Sequence, residues 1–265
     1  MVESIELPRV LVLGASGYIG KALLDAEQNK VQLIPLRHID KFDYKSFSSK
    51  ITTIINLSSS SFASDENESW EANYNYQRDI ISSFASDNVK WVQVASYYEL
   101  QIPNGRTDFY STTKLEFRNF ITSFVKQHSS LSLTSVMLPH VFGGNEVASR
   151  LIPTIRRFIS GEKVSFGSPD QLIPLIHIKD VVEALLVATN ADQSFCLAKP
   201  MWQGTLGSLL EVVLQDQDIH ELPNFLDNHE NYKNIAMDFP ENLRGFEPKY
   251  QMSNFIKDLR LGLSN

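Results

Sequence analysis

The chain has a single cysteine, Cys196, among 265 residues. An intrachain disulfide framework and a thiolate-rich metal site are therefore excluded, and a reducing compartment is the expected setting. Basic residues are outnumbered: 24 Lys and Arg stand against 31 Asp and Glu, a net charge of −7. Recognition of nucleic acid through bulk positive charge is excluded, although a local basic pocket is not. No apolar run reaches the ~18 residues that a transmembrane helix needs. The N-terminal stretch MVESIELPRV has two acids and no basic segment ahead of a long apolar run, so it does not read as a secretory signal. The six histidines and the acids show no metal-ligand spacing, and no metal is expected. Repeats, heptads and low-complexity tracts are missing too. The expectation is a cytoplasmic globular protein without a nucleic-acid or membrane partner.

Hydrophobic residues make up 43%, ample for a sizeable core at this length. At ~150 residues per domain the chain amounts to about 1.8 domains. Apolar runs rich in β-branched residues occur at VLVL (10–13), VQLIPLR (31–37), ITTIINLSSSS (51–61), VKWVQVASYY (89–98) and LSLTSVMLP (131–139). Helical spacing fills the intervals at KALLDAEQ, Trp70–Asp87 and Tyr110–Gln127. Strands alternating with helices predict an α/β fold: a Rossmann-like, doubly wound parallel sheet. After residue 143 the rhythm changes to Gly, Pro and short apolar pieces, with helical periodicity again at Asp180–Thr189. The expected division is a dinucleotide-binding domain over 1–145. A small C-terminal substrate-binding lobe is expected mainly over 146–265, with 175–200 returning to the Rossmann sheet.

Gly14, Gly17 and Gly20 form G-x-x-G-x-x-G between a predicted strand and a predicted helix. The first glycine permits a tight turn, the second lets backbone approach a pyrophosphate, and the third allows close helix–sheet packing. The helix N-terminus adds free N–H groups and a positive dipole end. Arg37 closes the second run, where an acid would hold a ribose 2′-hydroxyl and an arginine accommodates a 2′-phosphate. NADP(H) is favoured over NAD(H) on that ground. Tyr110 and Lys114 are four apart on a predicted helix and share a face. An ammonium beside a phenol lowers its pKa toward useful acid–base chemistry. Ser96 ends the preceding strand, where ligands meet open parallel sheets.

With these residues assembled, the sequence resembles the extended short-chain dehydrogenase/reductase family, also called the NAD-dependent epimerase/dehydratase family, over nearly its whole length. GASGYIG resembles its cofactor loop, which implies cofactor contacts from Ser16, Tyr18 and Ile19 beside the glycines. INLSS (55–59) stands in the place of its small-residue loop after the fourth strand, implying Leu57 and Ser58 for the cofactor and Ser59 for the substrate. ANYNYQRDII matches Asn73 to the asparagine that orders the catalytic lysine. LPHVFGG (138–144) resembles the segment passing the nicotinamide, implying Pro139 and His140. LIHIKDVVEALL is similar to its His-x-x-Asp motif, where His177 and Asp180 read as a buried hydrogen-bonding pair. LRGFEPKY (243–250) resembles its Gly-Phe-x-Pro segment.

The resemblance implies an NADPH-dependent reductase of a ketone on a nucleotide-linked 4-keto-6-deoxysugar. Tyr110 would donate the proton, Lys114 would hold the ribose and tune Tyr110, Ser96 would orient the carbonyl, and Asn73 would link to Lys114. The alternatives are a 4-epimerase with tightly bound NAD and a non-catalytic dinucleotide sensor. The family also implies a homodimer formed by helices 70–87 and 110–127.

Several residues depart from the family pattern. Met137 and His140 stand where Arg and Asn are common, and Ile173 replaces an arginine for the substrate pyrophosphate. Arg150, Arg156, Arg157 and Arg244 are possible compensations. His140 has the chemistry of an acid or base near neutrality, although a packed role is favoured. Tyr97, Tyr98, Phe142 and Trp202 are candidate walls for a sugar or base ring. Glu99 comes third after Ser96, so the acid pair of dehydratases is absent.

Overall fold

The computed structural model describes residues 7–26, 31–36, 51–60, 65–104, 108–144, 146–220, 223–225 and 237–261. Val10 to Leu13 are all at most 1% exposed, as a strand covered on both faces requires. That strand, β1 (Arg9–Leu13), lies between β2 (Gln32–Leu36) and β3 (Thr53–Asn56). Next to β3 come β4 (Val89–Ser96), β5 (Leu131–Leu138) and β9 (Phe195–Leu197). Every pairing in this six-stranded sheet is parallel, in the order β2-β1-β3-β4-β5-β9.

Helices cover both faces. Leu23 of α1 (Tyr18–Asp25) joins the Val181–Leu185 stripe of α6 (Ile178–Ala188) on one side. On the other, Ile80 and Ile81 of α3 (Tyr76–Ser83) pack with Phe117 and Ile121 of α4 (Phe109–Gln127). The side chain of Asp108 accepts the Ser111 N–H at 2.8 Å and caps the start of α4. The helix read at Trp70–Asp87 is in fact α2 (Glu66–Trp70), a π-turn over Glu71–Asn75, and then α3. Strand β4 stops at Ser96, and Tyr97–Asn104 forms a 3₁₀ stretch.

Three further strands, β6 (His140–Phe142), β8 (Leu172–His177) and β10 (Trp202–Thr205), form a second sheet in the order β10-β8-β6. The short β7 (Ser165–Phe166) and β11 (Asn224–Phe225) pair with one another. With α5 (Leu151–Ile159), α7 (Leu206–Gln217) and α8 (Met252–Leu261) they enclose a separate core around Phe142, Ile155, Leu175, Leu209 and Phe255. Residues 175–177 belong to this second sheet, whereas α6 and β9 lie with the main one. Ile173 is buried in the second core, and Phe142 and Trp202 also pack there, so none of the three is a wall of the main cleft.

Candidate active site

In an open parallel sheet the ligand crevice lies beyond the carboxyl ends of the strands where their order reverses. Here that place is between β1 and β3. Gly14 leaves β1 with φ +74°, and a Cβ on it would come within 2.8 Å of the Leu57 carbonyl. A Cβ on Gly20 would sit 2.4 Å from the Gly14 oxygen, so the helix packs directly on the turn. These two glycines answer to the protein's own packing. Gly17 is exposed at the start of α1, which has no side-chain cap. An uncapped helix end beneath an open cleft suits a pyrophosphate. Tyr18 and Ile19 line the cleft, while Ser16 is exposed on the turn beside them. Arg37 lies outside the described residues.

The loop after β3 is held by buried amides. The Asn56 side-chain N–H donates to Gln77 Oε1 at 2.6 Å and to Gln93 Oε1 at 2.8 Å. Its Oδ1 accepts the Ser58 N–H at 3.1 Å, and Gln77 donates to the Ser58 carbonyl. Sequence reasoning did not single out Asn56, Gln77 and Gln93. The available signal was a polar residue in an otherwise apolar, fully buried strand. Ser58 is consequently turned inward, while Leu57 and Ser59 face the cleft. Asn73, in the π-turn, accepts the Ser60 N–H at 2.7 Å. It donates to the Ser60 carbonyl at 3.1 Å, to Ser69 Oγ at 3.2 Å and to Thr113 Oγ1 at 3.1 Å. Its side chain thus reaches the residue beside Lys114 rather than Lys114 itself.

Ser96 and Tyr110 meet in the cleft, which has a volume of about 470 Å³ and is open to solvent. Burial pushes the Tyr110 phenol up to about 12, and a side-chain hydrogen bond from Ser96 opposes that rise. The phenol is therefore protonated at neutral pH. Lys114 departs from expectation. Its Nζ donates to the Val94 carbonyl at 2.5 Å, and it is not among the groups acting on Tyr110. Burial lowers the ammonium's pKa, opposed by Glu99. Glu99 accepts the Ser96 N–H at 2.7 Å and pairs with Arg118 at 2.7 Å.

Pro139, His140, Arg150, Tyr97 and Tyr98 line the rest of the cleft. The two tyrosine rings lie 4.2 Å apart. His140 is not poised near neutrality: burial, reinforced by Arg150, takes it down to about 3, so it is a neutral imidazole. Its Nε2 is buried without a hydrogen-bond partner. Arg150 packs over the Tyr18 ring at 5.0 Å, donates to the Val141 carbonyl and pairs with Glu146 at 3.2 Å. Glu146 also accepts the Gly143 N–H at 2.7 Å, and Tyr18 donates its hydroxyl to the Gly143 carbonyl.

Arg156 is not on this cleft. It lines a small cavity behind Gly143 and Gly144 with His177 and Asp258. Arg157 and Arg244 pair with surface acids, at 2.7 Å to Glu162 and at 3.6 Å to Glu241, so neither compensates for Ile173. His177 and Asp180 are structural but do not bond to one another. His177 Nδ1 accepts the Lys179 N–H at 3.3 Å and its ring stacks on Tyr250 at 3.9 Å. Asp180 accepts the Lys249 and Tyr250 amides at 3.0 and 3.1 Å, fastening the C-terminal segment. Cys196 is buried with its thiol raised to about 11, which makes it unreactive. No group of three or more His, Cys, Asp or Glu suited to a metal occurs among the described residues, and none of their helices is long and apolar enough to cross a membrane.

A family model described as the NAD dependent epimerase/dehydratase family matches residues 10–195. Among solved structures, the chain is similar to the UDP-N-acetylglucosamine 4-epimerase of Methanobrevibacter ruminantium in complex with UDP-N-acetylmuramic acid. The identity is 15%, with 98% of each chain covered and a TM-score of 0.76. It is similar to the UDP-glucose 4-epimerase of Thermotoga maritima with UDP-glucose, at 14% identity, 97% of each chain and a TM-score of 0.76. A third likeness is to the dTDP-glucose 4,6-dehydratase of Bacillus anthracis in complex with NAD, at 13% identity, 97% of each chain and a TM-score of 0.74. At these identities the likeness speaks for the fold. No curated protein matches the chain in sequence.

Proposed function

The chain belongs to the NAD-dependent epimerase/dehydratase family, and on that premise we propose that it is a nucleotide-sugar 4-epimerase working with a retained dinucleotide. The reading rests on one observation. The uncapped start of α1 and the Ser96–Tyr110 pair open onto the same cleft, with Lys114 one helical turn along from Tyr110. Gly17, Tyr18, Ile19, Leu57 and Pro139 would hold the dinucleotide. When bound, it supplies hydride acceptance and return at a sugar carbon. Tyr110 holds the proton of the substrate oxygen, giving it up or taking it back, and Ser96 orients that oxygen. Lys114, now donating to the Val94 carbonyl, would hold the ribose and stabilise the phenolate. Ser59, Tyr98, His140 and Arg150 line the room left for the nucleotide sugar. The likeness to 4-epimerases supports this reading over the ketone reductase that the sequence favoured.

That reductase is the second reading, supported by Arg37 as a partner for the 2′-phosphate of NADPH. The purified protein incubated with UDP- and dTDP-hexoses separates the two. Interconversion at C4, seen by proton NMR without net redox change, supports the epimerase. Oxidation of NADPH at 340 nm by a 4-keto sugar nucleotide supports the reductase. Neither signal, with dinucleotide binding intact, would overturn both. A homodimer through the helical layer of α2, α3 and α4 is part of the proposal, tested by sedimentation.

A further inference from the structure

Glu99 stands three residues beyond Ser96, in the 3₁₀ stretch that follows β4. Its side chain is 0% exposed. One carboxylate oxygen accepts the Ser96 N–H at 2.7 Å, and the other accepts from Arg118 Nε at 2.7 Å. Arg118 follows Tyr110 and Lys114 at four-residue steps, so all three share one stripe of α4. The Arg118 guanidinium is itself seated 4.6 Å over the Phe195 ring of β9. A fully buried acid is costly unless paired and hydrogen-bonded, and both of its oxygens are occupied here.

We propose that Glu99 is a positioning residue: its buried carboxylate ties the strand end carrying Ser96 to the helix carrying Tyr110 and Lys114. This rests on the catalytic reading of Ser96, Tyr110 and Lys114. The two halves of the site come from elements that are separate in sequence and joined by the segment between Tyr97 and Asp108. The tether sets their spacing. The Ser96 amide is held by the acid, so the Ser96 hydroxyl stays toward Tyr110 and the Tyr98 N–H, which donates to it at 3.3 Å. The charged and titratable groups around the pair are Glu99 and Tyr98 from the 3₁₀ stretch, Asp108 at the start of α4, and Arg118 beyond. Of these, Glu99 is the acid that acts on Lys114, raising a pKa that burial lowers. An acid at this place does not serve water elimination, because both its oxygens are committed.

The test uses the full chain with lysine labelled at 13Cε. The Lys114 signal is assigned by its loss in Lys114→Met and titrated against pH in the wild type and in Glu99→Gln. The Lys114 midpoint in Glu99→Gln should fall by about one pH unit. In the epimerase or reductase assay, kcat should fall about tenfold with KM for the sugar nucleotide nearly unchanged. Glu99→Asp should restore part of the midpoint, and Arg118→Ala should lower kcat without lowering the midpoint. An unchanged kcat in a folded Glu99→Gln protein overturns the tether, and an unchanged Lys114 midpoint removes the electrostatic link between Glu99 and Lys114. Should the catalytic reading itself be at fault, Tyr110→Phe would keep its turnover, whereas the lysine titration would still report on Glu99.

Discussion

Single side chains in this protein are best understood by what burial does to their protons. Tyr110 and His140 line the same cleft, and each is held in its neutral form, the phenol raised to about 12 and the imidazole lowered to about 3. Replacing Tyr110 with Phe should retain dinucleotide binding by titration calorimetry and reduce turnover about a thousandfold. Near-normal turnover would remove Tyr110 from the mechanism. His140 makes a prediction about stability. Its folded pKa lies below the unfolded value near 6.5, so below pH ~6.5 the unfolded chain takes up a proton that the folded chain refuses. Stability is then lost as the pH falls from about 6.5 toward 3, by up to ~1.4 kcal/mol per pH unit. His140→Asn should flatten the decline in Tm between pH 7 and pH 5. An equally steep decline in that variant would assign the proton uptake elsewhere. The importance of His140 as a departure was visible in the sequence; its protonation state was not, because that depends on Arg150 and on chain folded over it.

Elements show where periodicity is informative and where it fails. The strand VLVL and the helix over 110–127 were legible because continuous apolarity and a 3.6-residue stripe are local properties. The π-turn at Glu71–Asn75 was not legible, since its extra residue per turn leaves the composition unchanged. It places Asn73 so that one side chain serves Ser60, Ser69 and Thr113. Asn73→Ala deletes a fully buried amide and both of its bonds to Ser60, and should cost about 2–3 kcal/mol in urea denaturation. A loss below about 0.5 kcal/mol would show that the bulge stands without its asparagine. The buried amides Asn56, Gln77 and Gln93 were missed for a related reason. Each looks like an ordinary polar residue until the fold brings the three together.

At the scale of the whole molecule, the main sheet and the second sheet meet at the cleft, and a clasp joins them. The Tyr18 hydroxyl reaches the Gly143 carbonyl from 125 positions away in the chain, and Arg150 lies over the same ring. Burial, with the nearby Glu146 carboxylate, raises the Tyr18 pKa, so it remains a donor. Tyr18→Phe keeps the ring and deletes the bond. Dissociation of the dinucleotide, followed by stopped-flow fluorescence, should quicken about fivefold, equivalent to about 1 kcal/mol. An unchanged rate would mean that the clasp holds the lobes but not the ligand. The sequence by itself determined the fold class, the glycine turn and the order of Ser96, Tyr110 and Lys114, because apolar rhythm, conformational freedom and helical spacing are written over a few neighbouring residues. Tertiary structure decided which arginine faces the cleft, that Lys114 rests on Val94, and that Glu99 stands between Ser96 and Arg118. Those outcomes depend on distances between residues far apart in the chain, and only the packed fold sets such distances.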